Sequence, residues 1–193
     1  EGFGKNPDGL TLEKLEAHPH GIPFGAMKPR IPEVLRTPSG KIELAPECIV
    51  SDMERLSSRL NNQENGLRLI GRRHLRSNNS WMHNSKRLVK GKLRCTLHIH
   101  PDDANGAGLS EGDQATVTSR VGNINIPIEI TNDIMPGVVS IPHGWGHTVK
   151  GTQMAVAHAH PGINSNILTD GDALDIPSGN AVLNGIPVTV QRV

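Results

Sequence analysis

Tyrosine is absent from this chain, and two phenylalanines and two tryptophans are its only large aromatic residues. A core must therefore be built from Ile, Leu, Val and Ala, and there are too few rings for a base-stacking platform of the kind that binds single-stranded nucleic acid. Cysteine is nearly absent. Cys48 and Cys95 stand alone and far apart, which excludes a four-thiolate zinc site and a cysteine-held iron–sulfur cluster. The two read as buried thiols in a reducing compartment, with a disulfide between them left open, and a cytoplasmic parent is expected. No run nears the length of about 18 apolar residues that a membrane-spanning helix needs. Net charge is only +1, from 20 basic and 19 acidic residues, so no global field favours nucleic acid. A Walker loop and HExxH are both missing, and neither cysteine has a neighbouring histidine that would mark a nucleophile. The chain opens on Glu1 rather than Met, and a fragment of a longer polypeptide is expected.

What is abundant is glycine and proline, 21 and 14 residues, which suits many short strands joined by tight turns. Residues 1–62 read as an irregular extension. Pro7, Pro19, Pro23, Pro29 and Pro32 impose extended or turn geometry there. TPSGKIELAPE (37–47) reads as a turn, a short strand and a stop. Ser51-Asp52-Met53-Glu54 has the form of a capping box, with Met53, Leu56 and Leu60 on one face of the helix it opens. A polar break over 61–66 places the domain boundary at 62/63.

Residues 63–193 read as β. Leu67, Leu69 and Ile70 form a strand expected to break at Gly71. Cys95, Leu97 and Ile99 alternate with polar residues, and a short helical turn begins at Asp102. Residues 114–120 and 123–130 form a hairpin in which Ile124, Ile126, Ile128 and Ile130 repeat with period two. Pro127 in the second arm implies an edge or a bulge. With strands near 138–141 and 186–193, the pattern is that of a small barrel.

Polar chemistry gathers in three segments. The first, GRRHLRSNNSWMH (71–83), offers guanidinium forks for phosphate, amides for heterocycle edges and an indole for an apolar face, a set suited to a large polyanionic multi-ring ligand. The second is PHGWGH (142–147), and the third is the Asn/Asp/Ser/Gly loop 164–180. Ten histidines raise a metal reading through His98/His100 and His158/His160, but no third ligand is apparent. Asp170, Asp172 and Asp175 read as loop and turn carboxylates.

Taken in order, TPSGKIEL (37–44), LRLIGRRHLRSNNSWMHN (67–84), residues 99–146, NSNILTDGDALDIPSGN (164–180) and IPVTVQ (186–191) resemble the C-terminal dinucleotide-binding domain of the molybdopterin oxidoreductases. That superfamily includes formate dehydrogenases, periplasmic nitrate reductases and dimethyl sulfoxide reductase. The resemblance covers roughly 37–193. It implies a mainly β fold, a six-stranded double-psi β-barrel with short helices, preceded by the Pro-rich extension with one short helix.

The resemblance also implies a cofactor, molybdopterin guanine dinucleotide in its Mo- or W-bis-MGD form, held in the full-length protein and not retained by the fragment. Gly71, Arg72, Arg73 and His74 would lie along one dinucleotide, with Ser80, Trp81, Met82 and His83 closing over it. His143 and Gly144 would form part of the pterin wall, and Asn166 matches the family's pterin-contacting Asn. Asn184 falls where many members carry a Lys, and SWMH (80–83) departs from the common HWHT. No residue here is expected to ligate metal or to do chemistry. The expected partners are upstream catalytic domains of the same polypeptide and a small-molecule redox substrate of the parent. PHGIP (19–23) and PHGWGH lean toward formate-dehydrogenase-like chemistry.

Three other readings compete. A stand-alone double-psi barrel resembling aspartate decarboxylase needs a self-processing Gly-Ser step, and the chain has no Gly-Ser dipeptide. A non-enzymatic interaction module would use the Pro-rich 1–50 segment as an arm, and an independent metal-binding barrel would use the histidine pairs.

Overall fold

A computed structural model of the chain describes residues 8–61 and 66–193. Pro7 and the expected boundary at 62/63 lie outside the described residues. The chain divides into two compact units, Glu1–Pro46 and Glu47–Val193.

In the first unit a single-turn helix, α1 (Leu12–Glu16), is capped by Thr11, whose hydroxyl accepts from the Lys14 N–H at 3.2 Å. No described residue of this unit is buried. Residues 37–44 form no strand: Thr37 turns the chain by donating its hydroxyl to Lys41 O at 2.6 Å. The polar side chain ties up the carbonyl that a strand ladder would use.

The second unit opens with α2 (Glu47–Val50) and α3 (Met53–Asn61). The helix α3 starts two residues after Ser51. Asp52 occupies the cap position, and its carboxylate takes a fork from Arg55 at 2.7 and 2.6 Å. Cys48 in α2 is exposed, against expectation, whereas Cys95 is buried.

The strands are β1 (Leu67–Arg72), β2 (Leu97–Ile99), β3 (Gln114–Thr118), β4 (Asn123–Ile130), β5 (Val138–Pro142) and β6 (Ile186–Arg192), closed in the order β1-β5-β2-β4-β3-β6. The pairs β1–β5 and β4–β2 are parallel, and the pairs β1–β6, β4–β3, β2–β5 and β3–β6 are antiparallel. Advancing every strand by three maps this set onto itself, directions included. That internal twofold in a six-stranded barrel is the double-psi arrangement. Closure leaves no edge, so Pro127 cannot be an edge residue. It sits where β4 passes from β3 to β2: Pro127 faces Gln114, and pairing with β2 begins at Ile128. A missing N–H is tolerated at that handover.

The core is filled mainly by aliphatic residues, among them Leu69, Leu97, Ile99, Val117, Ile126, Ile128, Val139 and Ile141, with Cys95 and Trp145 joining them. Burial alternates along β2, β3, β4 and β6, so the period-two isoleucines of β4 point inward as far as Ile128, whereas β5 is buried from Val139 to Pro142. Three short helices, α4 (Lys86–Val89), α5 (Pro101–Gly106) and α6 (Ala155–Ala159), fill connections. No helix among the described residues is long and apolar enough to cross a membrane.

Strand β1 does not break at Gly71 but runs on to Arg72, because Gly71 and Arg72 ladder with Ile141 and Pro142 of β5. The parallel pair therefore delivers the loops after Arg72 and after Pro142 to the same end of the barrel. The 3-10 helix Ser165–Leu168 buries Leu168 and lies against the β3–β4 turn. A Cβ on Gly122 would stand 2.5 Å from the Ile167 carbonyl oxygen. Gly122→Ala is therefore expected to cost about 1–2 kcal/mol through overpacking, read as a lowered thermal midpoint. An unchanged midpoint would mean that the 3-10 helix is not held there.

Candidate functional site

Adjacent arginines leave the end of β1 and take opposite paths. Arg72 turns inward: its guanidinium donates to Ser140 O at 2.5 Å, Thr96 O at 2.8 Å, Thr96 Oγ1 at 3.1 Å and Arg94 O at 3.3 Å. Burial lowers its pKa to about 10, so it stays charged at neutral pH. Arg73 turns outward. Its guanidinium donates to Asn79 Oδ1 and lies 3.1 Å from His143 Nε2, which is itself 2.9 Å from Asn79 Oδ1. Arg73, Asn79 and His143 thus meet at one point.

The loop that brings Asn79 there is a tight local fold. Met82 N–H donates to Ser77 O at 3.1 Å, and Ser77 N–H to His74 O at 3.0 Å. Asn78 and Asn79 take left-handed backbone conformations, φ 42° and 62°, which Asn tolerates better than most residues. The facing loop fits against this turn only through glycine. Gly144, at φ 88°, passes so close that a Cβ would stand 2.1 Å from Asn79 O.

Behind this contact lies a buried ring cluster. His83 is 1% exposed, stacks on Trp145 at 3.9 Å between centroids, and hydrogen-bonds His147 Nε2 through Nδ1 at 2.7 Å and Ser77 Oγ through Nε2 at 2.9 Å. Burial, helped by His147, pushes its pKa down to about 4. His147 is lowered by burial and then by His158, and His143 by burial and then by Arg73. At neutral pH these rings carry no charge.

Two clefts adjoin at Arg73 and His143. One, of about 390 Å³, is lined by Gly71, Arg72, Arg73, His143, Gly144, Asn166 and Asn184, together with Ser165, Thr169 and aliphatic residues. Asn184, just before β6, accepts from the Gly71 N–H at 2.8 Å, because β6 runs beside β1. The other, of about 320 Å³, is lined by Arg73, His74, Met82 and His143 with Leu75, Ser77, Asn78 and Asn79. Neither lining contains a carboxylate. Fixed guanidinium charge and amide groups without a competing acid suit an anionic ligand that also carries hydrogen-bonding edges.

Three of the expected residues line neither cleft. His83 is turned into the ring cluster, Ser80 is half-buried, and Trp81 is 83% exposed. Sequence reasoning counted Asn78 and Asn79 among the amides of the 71–83 loop but did not carry Asn79, Ser77, Ser165 or Thr169 over as cofactor contacts. The tandem Asn78-Asn79 was the available signal, since paired asparagines favour left-handed turns.

Among the described residues no group of three or more His, Cys, Asp or Glu side chains can hold a metal ion. His98 lies 3.4 Å from Glu129, His100 caps α5, and His158 is bonded to Thr152. A Gly-x-Ser-x-Gly string does occur, GLSEG (108–112). It joins helix α5 to strand β3, where a nucleophile elbow joins strand to helix. It forms a turn closed by the Asp113 N–H on Ser110 O.

A family model described as the molydopterin dinucleotide binding domain matches residues 67–187. A tetrathionate reductase chain from Salmonella typhimurium is 31% identical over a stretch covering 49% of this chain and 11% of its own length. The molybdopterin-containing chain of arsenate respiratory reductase from Chrysiogenes arsenatis is 32% identical, over 39% of this chain and 9% of its own. This chain thus spans about a tenth of the length of these relatives. Among solved structures, acetylene hydratase from Pelobacter acetylenicus matches with a TM-score of 0.57 at 21% identity, over 75% of this chain and 20% of that one. At that identity the likeness concerns the fold.

Proposed function

The chain belongs to the molydopterin dinucleotide binding domain family, and from that premise we propose that its two adjoining clefts hold part of a Mo- or W-bis-MGD cofactor within a larger oxidoreductase. The observation that carries this is the carboxylate-free pair of clefts with Arg73 and His143 on their common wall. A dinucleotide is a pyrophosphate between two ring systems, and the donor set fits it. Arg73 would take phosphate oxygens, the Gly71–Asn184 corner and Asn166 would meet ring edges, and His74 and Met82 would flank the second cleft. When bound, the cofactor supplies two-electron redox chemistry at its metal. The residues of this chain bind it, orient it and exclude water, and none of them is assigned a chemical step.

Arg72 and His83 shape the walls rather than touch the cofactor. Trp81, standing clear of both clefts, is free to meet the cofactor or a neighbouring domain. The relatives are reductases of tetrathionate and arsenate, so the parent's reaction is read as a two-electron oxidoreduction without narrowing to formate.

The test is Arg73→Ala in the parent enzyme. One charge-assisted contact is worth roughly 1.5–3 kcal/mol, so cofactor affinity should fall at least about tenfold. Molybdenum per protein and GMP released on denaturation should fall together. Wild-type content of both in the purified variant would remove these clefts from the cofactor site.

A further inference from the structure

We propose that Asn79 is a positioning residue for the wall between the clefts, fixing both the Arg73 guanidinium and the proton on His143. This rests on the dinucleotide reading above and adds a residue that the reading does not assign. The balance of donors and acceptors favours it. Arginine has only donors, so the Asn79 amide atom that meets Arg73 is its oxygen. That same oxygen lies 2.9 Å from His143 Nε2. If Nε2 were unprotonated, it would accept from Arg73 at 3.1 Å, but its lone pair would face that of Asn79 Oδ1 at the shorter distance of 2.9 Å. If Nε2 carries the proton, Asn79 Oδ1 accepts from both neighbours, as a carbonyl oxygen with two lone pairs can, and the 3.1 Å approach of Arg73 to Nε2 is that of two donors sharing one acceptor. The His143 ring is then in its Nε2–H tautomer, and Nδ1 is left as an acceptor.

Without Asn79 the preference reverses. Arg73, at 3.1 Å from Nε2, would donate to the bare nitrogen and drive the proton to Nδ1. The ring would then offer a donor where it had offered an acceptor, and the guanidinium would turn from the clefts toward the ring. Asn79 therefore decides two properties of the site at once: where the fixed charge points, and whether His143 accepts or donates through Nδ1. Its left-handed backbone and the close passage of Gly144 against its carbonyl anchor it from the main-chain side.

The experiment uses nitrogen-15 ring shifts of His143 in the 193-residue chain at neutral pH, with inorganic pyrophosphate as the probe. Asn79→Gly keeps the left-handed backbone at no steric cost and deletes the acceptor, whereas Asn79→Asp keeps the acceptor. Wild type and Asn79→Asp should show protonated Nε2, and Asn79→Asp should raise the His143 pKa through its new charge. Asn79→Gly should show protonated Nδ1 and bind pyrophosphate about tenfold more weakly, the scale of one misdirected charge-assisted bond.

A wild-type ring protonated at Nδ1 overturns the proposal without any variant. So does a tautomer unchanged in Asn79→Gly, which would leave Asn79 a merely structural turn residue. If the tautomer switches but wild type ignores pyrophosphate, the positioning role stands and the dinucleotide reading falls.

Discussion

Replacing Arg72 by alanine is expected to destabilise the barrel by about 3–5 kcal/mol, whereas Arg73→Ala should leave its stability almost unchanged. The two residues are neighbours of identical chemistry, and the difference lies in what their guanidinium groups meet. Arg72 spans from β5 to the segment before β2, donating to the main-chain oxygens of Ser140, Thr96 and Arg94 and to the Thr96 hydroxyl. That hydroxyl donates in turn to Glu129, which also takes Lys92 at 3.0 Å. Truncation leaves several half-buried carbonyls unpaired and takes a positive group away from the neighbourhood of Glu129. Unsatisfied acceptors cost roughly 1–3 kcal/mol each when water cannot reach them fully. For a chain of this size the loss corresponds to a fall of about 10 °C or more in thermal midpoint. Arg72→Lys should recover only part of it, because a single ammonium cannot reproduce a planar fork. Calorimetry on the four proteins, wild type included, decides the matter. An Arg72→Ala midpoint equal to wild type would mean that the interior contacts carry no weight.

The split between Arg72 and Arg73 also shows where sequence reading stops. The period-two isoleucines of β4, the apolar run of β1 and the Gly/Pro punctuation predict strands, and the six barrel strands come out within a residue or two of expectation, whereas the short strand expected within 37–47 does not form. Strand identity depends on local alternation, which a sequence displays directly. Which of two adjacent arginines faces inward depends on how far β1 runs past Gly71, and that is set by its ladder with β5, about seventy residues away. Long-range register of that kind has no local signature. For the same reason Pro127 reads as an edge residue until closure of the barrel is known.

The candidate site was legible as a set of loops and only partly as a set of contacts. The loops after β1 and β5 meet because the two strands are parallel neighbours, which a double-psi topology implies once it is recognised. Gly71, Arg73, His143, Gly144, Asn166 and Asn184 come together around one cleft. His83 does not join them, because a stacking partner, Trp145, and two hydrogen-bonding partners hold it inside. In sequence a buried histidine and a ligand-facing one look alike, and the glycines at 144, 146 and 162 that admit the neighbouring loops look like ordinary flexibility.

The buried position of His83 makes the chain's stability acid-sensitive in a defined window. In the unfolded chain His83 titrates near its ordinary value of about 6.5. In the folded chain burial holds it at about 4, because protonation would place a charge against Trp145, Ser77 and His147 with no carboxylate in contact. Above pH 6.5 the ring is neutral in both states and contributes no pH dependence. Between pH 6.5 and 4 the unfolded chain binds the additional proton, so stability falls as pH falls. A shift of that size corresponds to about 3 kcal/mol lost by pH 4. His147 shares the proton bond with His83, so the measured value belongs to the pair. The comparison is with His83→Gln, whose amide can still meet Ser77 and His147 but does not titrate. Urea unfolding at intervals from pH 7 to pH 4 should give the wild type the steeper decline, the two curves converging by about 3 kcal/mol, while the shared carboxylate contributions cancel. Parallel curves would show that His83 reaches solvent and that the ring cluster does not hold these loops together.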